Sequence, residues 1–312
     1  MYYLGEIISL GVAVSWTVTA WFSDKESRRV GSTVTNALRL TLAVVFLAFL
    51  LWITVGHPYP VYADGRTWLW LSLSALVGYL FGDWCLFNCY LSIGPRFGQL
   101  FMTIAPPMAA LAGWVLLGET LGWKSILAMA VTLTGIAISI LSRDSGGHHL
   151  KLDLPLKGIL LGIGAGMGQG VGLVLSKVGM QYYSAAVPAD APAMMETMLP
   201  FASTMIRAII GGSGFVLLLA LRKNLSGYAK AVKDPVSMKY AAIITFFGPA
   251  VGVSMSLMAV RYANAGIAST LMALTPVLIL APEILINKKK IRFKEILGLA
   301  VSITGVALFF LL

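Results

Sequence analysis

The chain has 312 residues, of which 58% are hydrophobic and 12% are charged, and its formal net charge is +10. About a quarter of the residues of a soluble globular protein are charged, so this composition excludes a soluble domain and predicts a multi-pass protein of the cell (inner) membrane. The Lys and Arg residues lie between long apolar runs, where cytoplasmic loops and anionic lipid headgroups account for them without nucleic acid as a partner.

Ten apolar runs are long enough to cross a bilayer as helices, since about 20 residues at 1.5 Å each span the hydrocarbon core. No basic segment precedes the first run, so we expect it to remain as a helix and not to be removed as a signal peptide. The charged segment 23–29 is expected to end it, and 181–200 is expected to be a loop. In chain order the predicted spans are 4–22, 33–55, 67–93, 97–117, 121–141, 158–178, 201–221, 239–262, 266–286 and 296–312.

The sequence contains an internal duplication, because the segment 99–141 matches the segment that lies 170 residues later. The repeated positions include Met102 and Met272, Pro106 and Pro276, Gly135 and Gly305, and, further back, Gly78 and Gly248 with Gly82 and Gly252. We therefore predict an all-α integral membrane protein whose ten transmembrane helices form two five-helix repeats, 1–142 and 156–312, joined by a linker at 143–155.

Five is an odd number, so the second repeat enters the membrane from the opposite side and the two repeats form an inverted pair. Such a pair has two nearly equivalent packings, which expose a central site to one side and then to the other. Most Lys and Arg residues lie in the connections after odd-numbered spans. The positive-inside rule then places both termini outside the cytoplasm.

Three ionisable residues fall inside predicted spans, where a charge is costly without a partner or a wet cavity. Arg39 and Asp83 lie at depths that a long Arg side chain can bridge, which favours a structural ion pair. A titrating or substrate-contacting Asp83, and snorkelling of both side chains to the interface, are the alternatives. Arg207 has Val253 where the first repeat has Asp83, so it either caps backbone carbonyls or offers its charge to an anionic group.

Bent helices at matching positions of the two repeats point to a transporter's central site, and Pro106 and Pro276 occupy such positions. Polar and aromatic residues at helical spacing around them predict a mid-membrane pocket for a small amphiphilic solute, although each aromatic ring could instead serve packing. The predicted pocket residues are Trp16, Tyr79, Asp83, Tyr90, Gln99, Thr103, Pro106, Gln169, Ser269 and Pro276.

Other features argue against catalysis or a metal site. Cys85 and Cys89 lie four residues apart on one helix face, where they cannot bridge each other and have no His nearby, so we interpret them as packing residues. The three histidines, His57, His148 and His149, fall in predicted loops, and we expect no enzyme activity and no cofactor. The fifth and tenth spans carry almost no polar residue beyond Ser and Thr, so we interpret them as scaffold in which Gly135 and Gly305 allow close helix contact.

Three blocks carry a family resemblance: Arg39 in NALRLTLAV, the end of the third span in GDWCLFNCYLSIGP, and the segment 105–119 that ends in LGE. Their order over the whole chain resembles the EamA branch of the drug/metabolite transporter superfamily. The resemblance implies a secondary transporter that exports or exchanges small metabolites, commonly amino acids or related compounds, through a pocket between the repeats. It also implies cytoplasmic termini, opposite to the charge distribution.

The chain departs from the repeat pattern at Glu119, whose counterpart is Lys289, and this argues against a mechanistic role for Glu119. Proton coupling through Asp83 is one hypothesis, and uncoupled export is the other. A channel or lipid scramblase is the alternative function. Besides the small-molecule substrate and a proton, membrane lipids are the expected partners, and the oligomeric state is left open.

Overall fold

The computed structural model describes residues 3–141, 155–278 and 293–311, and the regular structure in these ranges is helical. The predicted linker lies outside them except for Pro155, as do residues 279–286 of the ninth predicted span. The described helices are α1 Leu4–Val30, α2 Ser32–Val55, α3 Gly65–Gly94, α4 Phe97–Leu117, α5 Trp123–Leu141, α6 Leu156–Ala186, α7 Met194–Leu221, α8 Leu225–Lys233, α9 Pro235–Tyr262, α10 Ala265–Leu278 and α11 Phe293–Leu311.

The predicted all-α membrane class is confirmed. Within the described ranges, seven helices are long and apolar enough to cross a membrane, namely α1 to α4, α6, α7 and α9. The other three predicted spans correspond to shorter apolar helices, which belong to α5, α10 and α11. Large apolar side chains point outward from several helices, such as Trp52 at 60% exposure and Val115 at 67%, as expected of surfaces that face lipid.

Two boundaries predicted from polarity are wrong. Helix α1 continues through the charged segment 23–29 and stops at Gly31, whose φ of 89° favours glycine. A pair between Arg28 and Asp24, 3.0 Å apart and one helical turn apart in sequence, supports these last turns. The segment 181–200 is mostly helical, because α6 runs to Ala186 and α7 begins at Met194. Its Ala, Met, Gln and Glu residues have high helix propensity.

Both repeats leave α-helical geometry at equivalent positions. The segment Leu76–Asp83 of α3 is π-helical, and so is Phe246–Val253 of α9, 170 residues later. In α4 a turn of 3₁₀-helix, Met102–Ile104, comes just before Pro106, and in α10 a turn at 273–274 comes just before Pro276. The helix breaks expected at the two prolines are therefore present, whereas the two π turns were not predicted from the sequence.

Each π turn packs against the first helix of the other repeat. Gly168 of α6 lies against Gly82 of α3 so closely that a Cβ at Gly168 would stand 2.8 Å from the Gly82 Cα. In the second repeat, a Cβ at Gly252 would stand 2.8 Å from the Trp16 Nε1 of α1. The two repeats therefore meet through glycines at the level where both π turns lie.

Helices α5 and α11 pack along each other. Gly135 lies against the backbone of Ser302, and Gly305 lies against Thr132, which leaves no space for a side chain at either glycine. This is the close contact expected of Gly135 and Gly305.

Two ends of the bundle are distinguished below. The α1–α2 end contains the connections at 31, 95–96 and 222–234. The α4–α5 end contains the connections at 56–64, 118–122, 187–193 and 263–264. A large apolar cluster, which includes Leu51, Leu71, Tyr183 and Leu199, fills the interior toward the α4–α5 end.

Candidate functional site

A cavity lies between the two repeats, with two adjoining lobes of about 50 and 80 Å³ whose walls combine polar and apolar side chains. The smaller, named here the Arg207 lobe, is lined by Arg207, Leu173, Ser256 and Met272, among others. The larger, the Asp83 lobe, contains Asp83 and extends toward the α1–α2 end. Each has room for several water molecules or part of a small solute. Both lobes share Trp16, Tyr79, Gln99, Met102, Gln169, Val253 and Thr275.

Most of the predicted pocket residues line this cavity. They are Trp16, Tyr79, Asp83, Tyr90, Gln99, Gln169 and Ser269. Thr103, Pro106 and Pro276 line neither lobe. The Thr103 hydroxyl donates to the Leu100 carbonyl at 2.6 Å within the 3₁₀ turn, and Pro106 is buried in the first turn after it. The helix breaks instead bring their neighbours Met102 and Thr275 into the wall.

Arg39 and Asp83 form a buried ion pair that joins α2 to α3. The Arg39 Nε also donates to Asn36 Oδ1 at 2.9 Å, and the second Asp83 oxygen accepts from Gln169 Nε2 at 2.7 Å. Arg39 is 4% exposed and Asp83 is 6% exposed, so snorkelling of this pair to the interface is wrong. The pair extends through Gln169 into the second repeat.

Arg207 is buried without a comparable partner. It is 3% exposed, its Nε has no hydrogen-bond partner, and within the described ranges no oxygen accepts a hydrogen bond from it. The predicted alternative that it caps backbone carbonyls is therefore wrong for this part of the chain. Its Cζ lies 4.4 Å from the centroid of the Tyr79 ring, and the Arg39 Cζ lies 5.7 Å from the same centroid. The Tyr79 hydroxyl also has no partner.

The π turns supply backbone acceptors for side chains of the other repeat. Ser15 of α1 donates to the Phe247 carbonyl at 2.6 Å, and Gln169 of α6 donates to the Gly78 carbonyl at 3.1 Å. A π turn displaces carbonyls from the regular helical ladder, so such bonds satisfy groups that would otherwise be costly at membrane depth. The Gly pairs spaced by four residues in both repeats were the available signal for these turns.

Tyr90 and Gln99 are held together across the end of α3. Gln99 donates to the Tyr90 hydroxyl, and Gly94, with a φ of 81°, turns the chain between them. A Cβ at Gly98 would stand 2.6 Å from the Tyr90 ring, so glycine is needed for this approach. The turn therefore fixes both side chains in the wall of the Asp83 lobe.

A second ion pair, which is partly buried, joins the repeats at the α4–α5 end. The Lys177 Nζ lies 2.5 Å from Glu119 Oε1, and it donates to the Ala263 carbonyl at 2.9 Å. The other Glu119 oxygen accepts from the backbone N–H of Ala265 at 2.9 Å. Glu119 thus has an ion-pair partner in the second repeat. The comparison of Glu119 with its counterpart Lys289, which lies outside the described residues, did not predict this partner.

Cys85 and Cys89 are free and pack among Leu86, Phe87 and Leu161. In the part of the chain that the structure describes, no three His, Cys, Asp or Glu side chains are grouped so that they could hold a metal ion. His57 lies in the α2–α3 connection, and the other two histidines lie outside the described residues.

Comparison with known proteins adds the following findings. The family model described as "EamA-like transporter family" matches residues 3–141 and 156–311. A solved structure described as "Crystal structure of protein" superimposes with a TM-score of 0.70 and 15% sequence identity, over 98% of this chain and 96% of that one. At this identity the likeness concerns the fold alone. No curated protein matches the sequence.

Proposed function

This chain belongs to the EamA-like transporter family, a membrane transporter family of the drug/metabolite transporter superfamily, and we propose that it moves a small amphiphilic metabolite by alternating access. The observation that carries the proposal is the cavity between the repeats. Trp16, Tyr79 and Gln99 from the first repeat and Gln169 and Ser269 from the second face the same space. Aromatic rings, amides and hydroxyls together suit a solute with both apolar and polar parts.

Alternating access requires two packings of the repeats, and the proposed ten-span arrangement supplies them. Seven long helices and three shorter apolar ones would give five spans to each repeat, with opposite entry sides and boundaries near the predicted 1–142 and 156–312. The matched π turns, Leu76–Asp83 and Phe246–Val253, support an equivalent role for the two repeats at the cavity.

The contacts across the repeats support a state closed at the α4–α5 end. There the Glu119–Lys177 pair and the apolar cluster around Leu71 and Tyr183 lie between the cavity and that end. The Asp83 lobe extends in the other direction, toward Ser23 near the α1–α2 end. Separation of Glu119 from Lys177 would accompany opening of the α4–α5 end in the second state.

Export across the cell (inner) membrane, of an amino acid or a related solute, is the direction we propose. Coupling to protons would require an acid that changes its protonation during the cycle, and Asp83 is the candidate in the cavity. Asp83 is already bonded to Arg39 and Gln169, which favours the structural role and uncoupled transport. In a folded D83N variant, loss of a pH-gradient effect on flux would assign proton coupling to Asp83.

The purified protein in liposomes tests the transport proposal. A panel of radiolabelled metabolites is offered from one side, and each active solute is then placed unlabelled inside to measure exchange. A carrier shows saturation and faster uptake against internal substrate. Flux that rises linearly with concentration, or movement of labelled lipid between leaflets, would instead identify a channel or a scramblase. An enlarged side chain in the cavity, S269W, is expected to abolish saturable flux.

A further inference from the structure

The charges of the side chains that line the cavity do not sum to zero. In the described part of the wall, Arg39 and Arg207 are positive and Asp83 is the sole negative group. Asp83 lies in the field of both guanidinium groups but hydrogen-bonds Arg39 and Gln169. One positive charge is left over, and it lies in the Arg207 lobe.

The Arg207 guanidinium is also left with free donors. Its Nε–H has no acceptor, and neither does the hydroxyl of Tyr79, whose ring it contacts. A buried polar donor without a partner is costly, and a buried charge without a counter-ion costs more. The aromatic face of Tyr79 replaces only part of the hydration that the guanidinium loses. Arg207 and Tyr79 both line the Arg207 lobe, the space where a solute would lie.

We propose that the Arg207 lobe binds the carboxylate of a monoanionic solute that has an apolar body and no ammonium group. This rests on the proposed transport function and narrows its substrate from an amino acid or a related solute to the related acids that lack the amine. A carboxylate has the planar geometry that a guanidinium pairs with, and its single charge cancels the single surplus charge of the cavity. A phosphate dianion would leave a surplus negative charge. Trp16, Leu173 and Met272 of the same lobe offer an apolar surface for the body.

The absence of an acid around Arg207 decides between a carboxylate and a zwitterion. No Asp or Glu is among the described residues that line the Arg207 lobe. Asp83, in the neighbouring lobe, is already paired. An ammonium group would therefore meet a net positive cavity, so an amino acid binds more weakly than the carboxylic acid of the same carbon skeleton.

Three matched probes test the inference on the purified protein. They are 4-methylpentanoate, its neutral amide 4-methylpentanamide, and leucine, which differs from the first by an α-ammonium group. Binding is measured by the ligand-induced rise in melting temperature over a concentration series, and flux is measured in liposomes. The carboxylate is expected to bind about 10- to 100-fold more tightly than either of the others, the range of one charge-assisted contact.

Two variants accompany the probes. R207Q is expected to weaken binding of 4-methylpentanoate by about 10- to 100-fold. Without ligand it should melt no lower than the wild type, because it removes a buried unpaired charge, whereas loss of a structural contact would lower the melting temperature. R222Q, at the exposed end of the same helix, is the control and is expected to bind as the wild type does.

The inference is overturned if leucine or the amide binds as tightly as the carboxylate, if R207Q binds it unchanged, or if the carboxylate does not bind. Should R207Q fail to fold, the three probes on the wild type decide alone. Saturable flux of other solutes without a preference for carboxylates overturns this inference and leaves the transport proposal intact. Absence of saturable flux across the whole metabolite panel counts against the transport proposal itself.

Discussion

Replacing Asp83 by Asn keeps the size of the side chain and removes the negative charge that Arg39 faces. Both partners are almost fully buried, and the Asp83 carboxylate accepts from Arg39 and from Gln169. Breaking such a pair by removing one partner strands the other charge and costs about 3 to 5 kcal/mol. We therefore expect D83N to lower the free energy of unfolding by about this amount, relative to the wild type.

A double-mutant cycle measures the pair itself. R39Q alone strands the Asp83 carboxylate, and the double variant R39Q/D83N removes both charges, so it should be more stable than the sum of the single losses predicts. Unfolding is followed by tryptophan fluorescence and circular dichroism in mixed micelles with increasing sodium dodecyl sulfate. The matched control is D24N, which breaks the exposed pair with Arg28 and should cost about 0.5 kcal/mol or less.

This reasoning is refuted if D83N costs no more than D24N, or if the losses of the two single variants simply add. Either result would mean that water or another group already satisfies both charges. The Arg39–Asp83 pair would then not hold α2 against α3.

Three further predictions concern other contacts. E119Q should raise the rate at which a cysteine introduced at Ser256 is labelled from the α4–α5 end, because the pair with Lys177 no longer closes that end. G168A should cost about 1 to 3 kcal/mol of stability, since the added methyl meets Gly82. The hydrogen bond from Arg29 lowers the pKa of Asp234. The stability that this bond gives the folded protein is therefore present above the ordinary pKa of Asp and is lost as pH falls through the lower pKa of the folded state. D234N should therefore reduce the loss of melting temperature between pH 6 and pH 3.

Each of these has a control. R261Q breaks an exposed pair with Glu196 at the same end, so it should leave the labelling rate unchanged. If E119Q is labelled no faster than the wild type, the Glu119–Lys177 pair does not close that end. A methyl group added at Gly11 would meet no atom within 4 Å, and Ala favours a helix over Gly, so G11A should not lower the stability. An equal cost at Gly11 and Gly168 would refute the packing argument. Asn at position 234 can still cap α9 in place of Asp. If D234N loses as much melting temperature between pH 6 and pH 3 as the wild type does, the ion pair with Arg29 contributes nothing to stability.

Hydropathy and the duplication predicted the helical class and the repeats, and most of the predicted pocket residues line the cavity. Helix length, helical period and the offset between the repeats can all be read from the sequence without the structure. The ends of α1 and α6 were missed, since polar residues with high helix propensity extend a helix beyond its apolar run. Thr103 and Pro106 were misplaced for a different reason. A break in a helix changes the direction in which the side chains beside it point. The cavity wall therefore contains Met102 and Thr275, which lie just before the prolines, and not the prolines that cause the bends.

The unmatched charge of Arg207 follows from a difference between the repeats. Arg39 and Arg207 hold nearly the same place in α2 and α7, and the positions of Asp83 and Val253 both end a π turn that borders the cavity. The first repeat supplies an acid there and the second supplies an apolar residue, so the scaffold is duplicated while the charge pairing is not. V253D is therefore expected to give Arg207 a partner inside the protein and to abolish binding of 4-methylpentanoate, whereas V253N, of equal size and uncharged, should retain most of it. Equal binding by the two variants would show that the surplus charge of the cavity does not select the solute.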